Sequence, residues 1–289
     1  MRLAYLGSPE VAVGPLQALV GAGHDVALVV TQPDRRRGRG GALIPTPVKS
    51  VARDLGLAVS DRVDDVARMG VELGVVVAFG RIVRTNVLRA VPMVNLHFSL
   101  LPRWRGAAPV ERALLAGDQV TGVCVMAVEE GLDTGGVYRS EVVPIGDEQT
   151  ADALRADLAA RGTRLLLELL SDRLPEPVPQ QGEPTYASKL EPADHHLDWE
   201  RPAAHLHRVV RVGQAWTTFR DRRLRILDAR LATAPPGLEA GQIDPATLAV
   251  ATAEGALQLV TVQPEGRGPQ PANAWRNGAR PRPGERLGT

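Results

Sequence analysis

The sequence predicts an α/β fold, with an N-terminal doubly wound, Rossmann-like parallel sheet and a C-terminal small β-barrel. Three observations predict it. The first 170 or so of the 289 residues alternate strand-like and helix-like segments. Residues 173–200 change character and are rich in Pro, Glu and polar residues. Beyond them come short β segments separated by turn residues, at the spacing of a barrel or sandwich. The expected domains are therefore 1–172 and 201–289, joined by a linker over 173–200.

Each element has its own signal. RLAYLG is a short apolar run ending in glycine, and PEVAVGPLQALVGAG reads as a helix with Pro9 in its first turn and Gly21/Gly23 at its end. HDVALVVTQ is a second strand, and PTPVKSVARDLG a helix entered through prolines. DDVARMGVELG leads into VVVAFG, a continuous β-branched run suited to a central parallel strand. A short helix over RTNVLRAV, the strand MVNLHF and the amphipathic helix GAAPVERALLAGD follow. TGVCVMAVEEGLDTGGVYRSEVVPI reads as one or two strands with a glycine-rich turn, and TADALRADLAARGTRLLLELLSD as a long helix. RPAAHLHRVVRV is one more helix, and TTFR, RLRILDARL, GQI, LAVATA and GALQLVTVQ are the late β segments. Strands spaced by helices give a doubly wound sheet, and ligands bind outside the carboxyl ends of its strands.

Composition narrows the function classes. Formal net charge is +1, but residues 1–204 carry 22 Lys+Arg against 26 Asp+Glu, and residues 205–289 carry 12 against 7. A basic second half is a hint of nucleic-acid contact, and a generally Arg-rich composition is the competing reading, since Lys appears only at Lys49 and Lys189. The single cysteine, Cys124, rules out an internal disulfide framework and makes the cytoplasm the expected compartment. The N-terminus turns polar too soon for a signal peptide, no run approaches the roughly 18 apolar residues of a membrane span, and the expectation is a soluble protein. No heptad or exposed apolar stripe appears, which favours a monomer.

The motif with most chemical content is NLHFSLLPRWRGAAP, from Asn95 to Pro109. Asn95 and His97, two apart on a strand, share one face. Leu101-Pro102 stops the strand and leaves both at its mouth. A lone strand histidine is usually a hydrogen-bonded core residue. An amide donor beside an imidazole is also what acyl chemistry needs, one for a developing oxyanion and the other for proton traffic. Asp133, in EEGLDTGGVY, reads either as a turn aspartate or as a third polar group; one Asp-Thr-Gly in an alternating α/β half does not make an aspartic protease. Glu129 and Glu130 read as a solvated turn. LGSPEVAVG lacks G-x-G-x-x-G, so no dinucleotide site is expected there. His195, His196, His205 and His207 lack zinc-like spacing, so no metal is expected. The run Arg35, Arg36, Arg37 and Arg39 is either a solvated charge run or a phosphate-binding loop that orders on RNA.

These residues carry a family resemblance. NLHFSLLPRWRGAAP followed by GLDTGG resembles the folate-dependent formyltransferases, and TQPDRRRGRGGALIPTPVK, YASKL, LDW, AWTTF and PGERLG extend the likeness end to end. The Asn-x-His…Asp core is common to formyltransferases of several amines and to folate hydrolases. The basic loop and the small β domain resemble the branch acting on methionyl initiator tRNA. The resemblance implies formyltetrahydrofolate as donor and the α-amine of tRNA-bound methionine as acceptor, with no metal. It implies that Asn95 and His97 donate to the oxyanion of a tetrahedral intermediate, and that Asp133 orients His97 and helps move the amine proton. Phe79, Gly80, Ile82, Ser99, Leu100, Leu101 and Pro102 are implied to hold the folate. Arg35, Arg36, Arg37 and Arg39 in the loop, and Arg220, Arg222, Arg223 and Arg225 in an oligonucleotide-binding-like barrel, are implied to contact tRNA phosphates. The chain departs from the family pattern at Phe98, at Arg84, in VGQAW and in a loop without lysine. The alternative is a formyltransferase for a small amine such as an amino sugar, for which Arg35–Arg39 would be dispensable.

Overall fold

A computed structural model describes residues 1–36, 41 and 43–289. Two compact units emerge. The first comprises residues 1–110, 120–144 and 153–188, and the second residues 111–119, 145–152 and 189–289.

In chain order the first part runs β1 (Arg2–Gly7), α1 (Val13–Gly21), β2 (Asp25–Val30), β3 (Arg35–Arg36), β4 (Leu43–Ile44), α2 (Pro47–Asp54), β5 (Val59–Ser60), β6 (Leu73–Val77), α3 (Thr85–Ala90), β7 (Met93–His97), β8 (Arg105–Gly106), α4 (Pro109–Ala116), β9 (Val120–Ala127), β10 (Val137–Pro144) and α5 (Ala151–Leu170). Seven strands form one sheet in the order β10-β9-β7-β6-β1-β2-β5. The five from β7 to β5 are parallel, and β9 and β10 join antiparallel at one edge. Both faces of the central strands are buried, since Leu3, Ala4, Tyr5 and Leu6 are all inaccessible. That is why these strands read as continuous apolar runs. One face packs Ala4, Leu6, Leu28, Val30, Phe79 and Met93 together. The chain turns from β2 and β5 on one side of β1 to β6 and β7 on the other, so a topological switch lies between β1 and β6.

Local signals account for the ends of the elements. Thr46 caps α2, its hydroxyl accepting from Lys49 N–H at 3.1 Å, with Pro47 in the first turn. The β6 strand ends earlier than VVVAFG suggests. Ala78 turns to φ +46° and Gly80 to φ +69°, so Phe79-Gly80 is a turn at the strand's carboxyl end. Residues 173–188 do more than link. Val178 bridges Val137, and β11 (Tyr186–Ala187) pairs in parallel with β8.

The second unit adds α6 (Ala203–Val212), β12 (Trp216–Phe219), β13 (Arg222–Ala232), β14 (Ala249–Ala251), β15 (Ala256–Pro264), β16 (Gln270–Pro271) and α7 (Ala272–Ala279). The strands are antiparallel, in the order β12-β13-β15-β14 with β16 on β15. Irregular backbone closes the ring. Gly288 N–H donates to Thr218 C=O, Leu287 N–H to Gly241 C=O and Gly241 N–H to Ala251 C=O, each at 2.8 Å. The result is a small barrel without an open edge between β12 and β14. Leu206, Ile226, Val250, Leu257, Val262 and Trp275 fill its core. The sequence reading has no helix at α7.

Candidate active site

The carboxyl ends of β6 and β7 position the polar groups. Asn95 lies between Val76 of β6 and Met126 of β9, and His97 lies opposite Cys124. Asn95 is half-buried, and its side-chain amide has no hydrogen-bond partner among the described residues. His97 is 5 % exposed. Its Nε2 donates to the carbonyl of Trp104 at 2.9 Å, and its Nδ1 faces Asp133 Oδ2 across 3.6 Å. A carbonyl only accepts, so Nε2 carries a proton in this arrangement, and the Nδ1 edge is turned to the carboxylate. Burial lowers the His97 pKa below its ordinary value, while the charge of Asp133 and the Trp104 carbonyl both act to raise it. Two acceptors thus favour an imidazolium that burial opposes.

Asp133 reaches this position from the loop between β9 and β10, where it holds a left-handed backbone at φ +51°. Gly106 N–H donates to its Oδ2 at 2.7 Å. The Asp133 and Gly135 carbonyls each accept from Gln180 Nε2 at 2.8 Å. Gln180 Oε1 accepts from the Arg105 guanidinium at 2.7 and 3.1 Å. Thr185 Oγ1 accepts from Trp104 N–H at 2.9 Å. Trp104, Gly106, Gln180 and Thr185 are not among the site residues that the sequence singles out. The tie of the PRWRG loop to a segment about 80 residues away leaves no signal in the sequence. Asp133 alone of the three polar residues required the fold to bring it in.

The residues implied for folate have varied settings. Phe79 is buried, and its carbonyl accepts from Gln32 Nε2 at 3.2 Å. Ile82 is 87 % exposed. Leu100, Leu101 and Pro102 are half-buried. Ser99 is fully buried, and its hydroxyl donates to Arg103 C=O at 2.5 Å, a bond that shapes the loop from within. Phe98 is also buried, at 7 % exposure, within the protein rather than at the mouth. Beside these residues Thr85, Leu88 and Arg89 face Val128, Glu129, Glu130 and Gly131 across an open cleft of about 420 Å³. Burial pushes the Cys124 thiol up to about 11. It stays protonated and is no nucleophile.

The basic residues differ in what holds them. Arg35 and Arg36 lie in the β3–β4 pair and are exposed, with Arg35 donating to Gln32 Oε1 at 2.6 Å. Arg37 and Arg39 lie outside the described residues. Arg220 sits in the turn between β12 and β13, and its guanidinium is engaged by Glu285 at 2.8 and 2.9 Å. Arg223 stacks over Trp216 at 4.5 Å, and Arg225 donates to Gln263 at 3.1 Å. Arg222 is exposed and has no polar partner among the described residues. The four histidines are scattered: His195 donates to Gly213 C=O, His196 packs on Trp216, and buried His207 faces Glu148 at 3.3 Å. No group of three or more His, Cys, Asp or Glu among the described residues could hold a metal ion. None of the helices among the described residues is long and apolar enough to cross a membrane.

Comparison with known proteins places this geometry. Residues 1–170 match the formyl transferase model, and residues 189–280 match that of the formyl transferase C-terminal domain. The chain belongs to the formyl transferase family. Among its relatives in that family, the methionyl-tRNA formyltransferase of Dinoroseobacter shibae is 45% identical, over 92% of this chain and 94% of that protein. That of Symbiobacterium thermophilum is 41% identical over 100% of this chain and 94% of its own length. The fold agrees with two distant solved structures. The methionyl-tRNA formyltransferase from Clostridium thermocellum has a TM-score of 0.58 at 15% identity, covering 82% of this chain and 95% of that one. The N-formyltransferase from Helicobacter canadensis, in complex with folinic acid and dTDP-3-aminofucose, has a TM-score of 0.66 at 16% identity, over 91% and 98%.

Proposed function

We propose that this chain transfers the formyl group of formyltetrahydrofolate to the free amino group of methionyl initiator tRNA, in the cytoplasm and as a monomer, to prepare that tRNA for translation initiation. One observation carries the reading. His97 faces Asp133 at the end of β7, the strand that also carries Asn95, in a chain that matches methionyl-tRNA formyltransferases along nearly its whole length. The amino-sugar reading has only a distant likeness of fold behind it.

The donor supplies an electrophilic formyl carbon. Ile82 and Leu132, exposed at 87 % and 62 %, offer apolar surface for its ring system. Phe79, Gly80, Leu100, Leu101 and Pro102 would hold it alongside. Asn95 has an uncommitted amide N–H for the oxygen on which charge develops. The Nε2 proton of His97 is committed to Trp104, so the neutral ring has none on Nδ1, and His97 can offer a proton there only when developing negative charge draws one onto the ring. Asp133 accepts a proton from the attacking amine, directly or through water; the tetrahedral intermediate then collapses with cleavage of the donor's formyl–nitrogen bond, and that proton passes to the departing tetrahydrofolate nitrogen. Arg35 to Arg39 and Arg222 to Arg225 would meet tRNA phosphates.

The experiment supplies formyltetrahydrofolate and methionine-charged initiator tRNA and measures formylmethionine on the tRNA, with uncharged and elongator tRNAs beside it. Product with charged initiator alone is expected. His97→Ala and Asp133→Asn should lower the rate by about 10²–10³-fold. Unchanged rates in both variants would remove the proposed site, and donor consumption with a free amino sugar instead would redirect the acceptor.

A further inference from the structure

Asp133 is the least self-sufficient member of the site. Its backbone stands at φ +51°, a region that costs a non-glycine residue on the order of 1 kcal/mol or more, and no strand holds it. Something must fix its carboxylate against a buried imidazole. The Gly106 N–H fixes one oxygen but sits on a loop itself. One side chain ties both loops. Gln180 gives both of its amide hydrogens to the Asp133 and Gly135 carbonyls and takes both Arg105 N–H groups on its oxygen. Four hydrogen bonds satisfy the amide fully and admit only one orientation of it. Arg105 is the residue next to Gly106, so the ring closes from Gln180 through Arg105 and Gly106 to the Asp133 carboxylate, and back through its carbonyl. The Gln180 backbone is held in turn by the flanking bridge of Val178 to Val137 and by β11 on β8.

We infer that Gln180 is a positioning residue, a clamp from the PVPQQG segment that sets the Asp133 carboxylate against His97. The inference rests on the reading of Asp133 and His97 given above. It goes beyond it by assigning a working role to a segment with no chemistry of its own. Gln180 touches no reacting atom and acts only through Asp133. A residue acting through another should show a coupled loss.

The test uses the full chain with Gln180→Ala and Gln180→Glu, each alone and with Asp133→Asn. Glu is nearly isosteric and keeps an acceptor for Arg105, but it lacks the two N–H donors, so it decides the matter if the alanine variant folds poorly. Both single variants should lose about 10- to 100-fold in kcat, with KM for donor and tRNA within threefold. In the Asp133→Asn background the further loss should be under threefold. A second readout needs no substrate. The His97 ring protons, followed by NMR against pH, should titrate lower in both Gln180 variants than in the parent and should not move further when Asp133 is already Asn. The other group bonded to the ring is the Trp104 carbonyl, and Cys124, with its protonated thiol, is the neighbour of His97 in the β7–β9 register. Full kcat with an unmoved titration in Gln180→Glu overturns the inference, as does the same loss in both backgrounds. If the parent chain formylates no tRNA, the functional reading fails, and the titration still decides the clamp.

Discussion

At the scale of single residues, the 3.6 Å between His97 Nδ1 and Asp133 Oδ2 governs the proton chemistry. Burial is the larger influence on His97, so its folded pKa lies below the ordinary 6.5. Between that lower value and 6.5 the unfolded chain binds the extra proton and the folded chain does not. Stability from the neutral ring is therefore complete above about pH 6.5 and is lost as pH falls towards the folded value. Asp133→Asn removes the charge that partly offsets burial, so it should move the titration further down and widen that window. NMR titration of His97 in both proteins checks the sign, and an upward move in the variant would mean that the carboxylate does not act on this ring. Asn95 and His97 were legible in the sequence because polar residues two apart interrupt an apolar strand just before a proline stop. The commitment of Nε2 to a backbone carbonyl was not legible, because it depends on Trp104 at φ +62° folding back over the strand end.

At the scale of elements, the strands and long helices were legible because both faces of the central sheet are buried and because proline or glycine stands at an end of α1, α2, α4 and α6. What failed were elements defined by partners. The turn at Phe79-Gly80 looked like strand because its composition is apolar, and its positive φ values are not encoded by periodicity. The α7 helix hides behind Asn and Gly, its burial carried by Ala272 and Trp275 alone. The two-residue strands β8 and β11 have no periodicity to read, yet they hold the loop that supports Asp133. Gly106 shows how closely they pack. It stands at φ +120°, and a Cβ there would lie 2.8 Å from the Ala187 carbonyl oxygen. Gly106→Ala must push β11 away or twist the loop, and either displaces the N–H that binds Asp133. The expected cost is about 1–3 kcal/mol in denaturant unfolding, with a fall in kcat exceeding what the remaining folded fraction explains. Wild-type activity in that variant would show that the Gly106 hydrogen bond is dispensable.

At the scale of the whole molecule, charge is distributed unevenly, with 12 Lys+Arg against 7 Asp+Glu over residues 205–289. Not every arginine in that excess is available to a polyanion. Arg220 gives its guanidinium to Glu285, and it also donates to the Ala279 carbonyl at 3.0 Å, joining the β12–β13 turn to the end of α7. Arg222, two residues on, is exposed and has no polar partner among the described residues. Sequence alone weighted the two equally, because a run of arginines does not reveal which are already neutralised. Phosphate contacts release counterions, so each one lost should reduce the slope of log affinity against log salt by about 1. Arg222→Ala should weaken initiator tRNA binding at low salt and lower that slope, while leaving unfolding unchanged. Arg220→Ala should do the reverse, lowering the unfolding midpoint with little change in slope, because the ion pair it breaks is internal to the barrel. Filter binding over a range of salt concentrations, with thermal unfolding alongside, separates the two. Equal slopes for Arg222→Ala and the parent would take the β12–β13 turn out of the RNA surface and leave tRNA attraction to the arginine run that begins at Arg35.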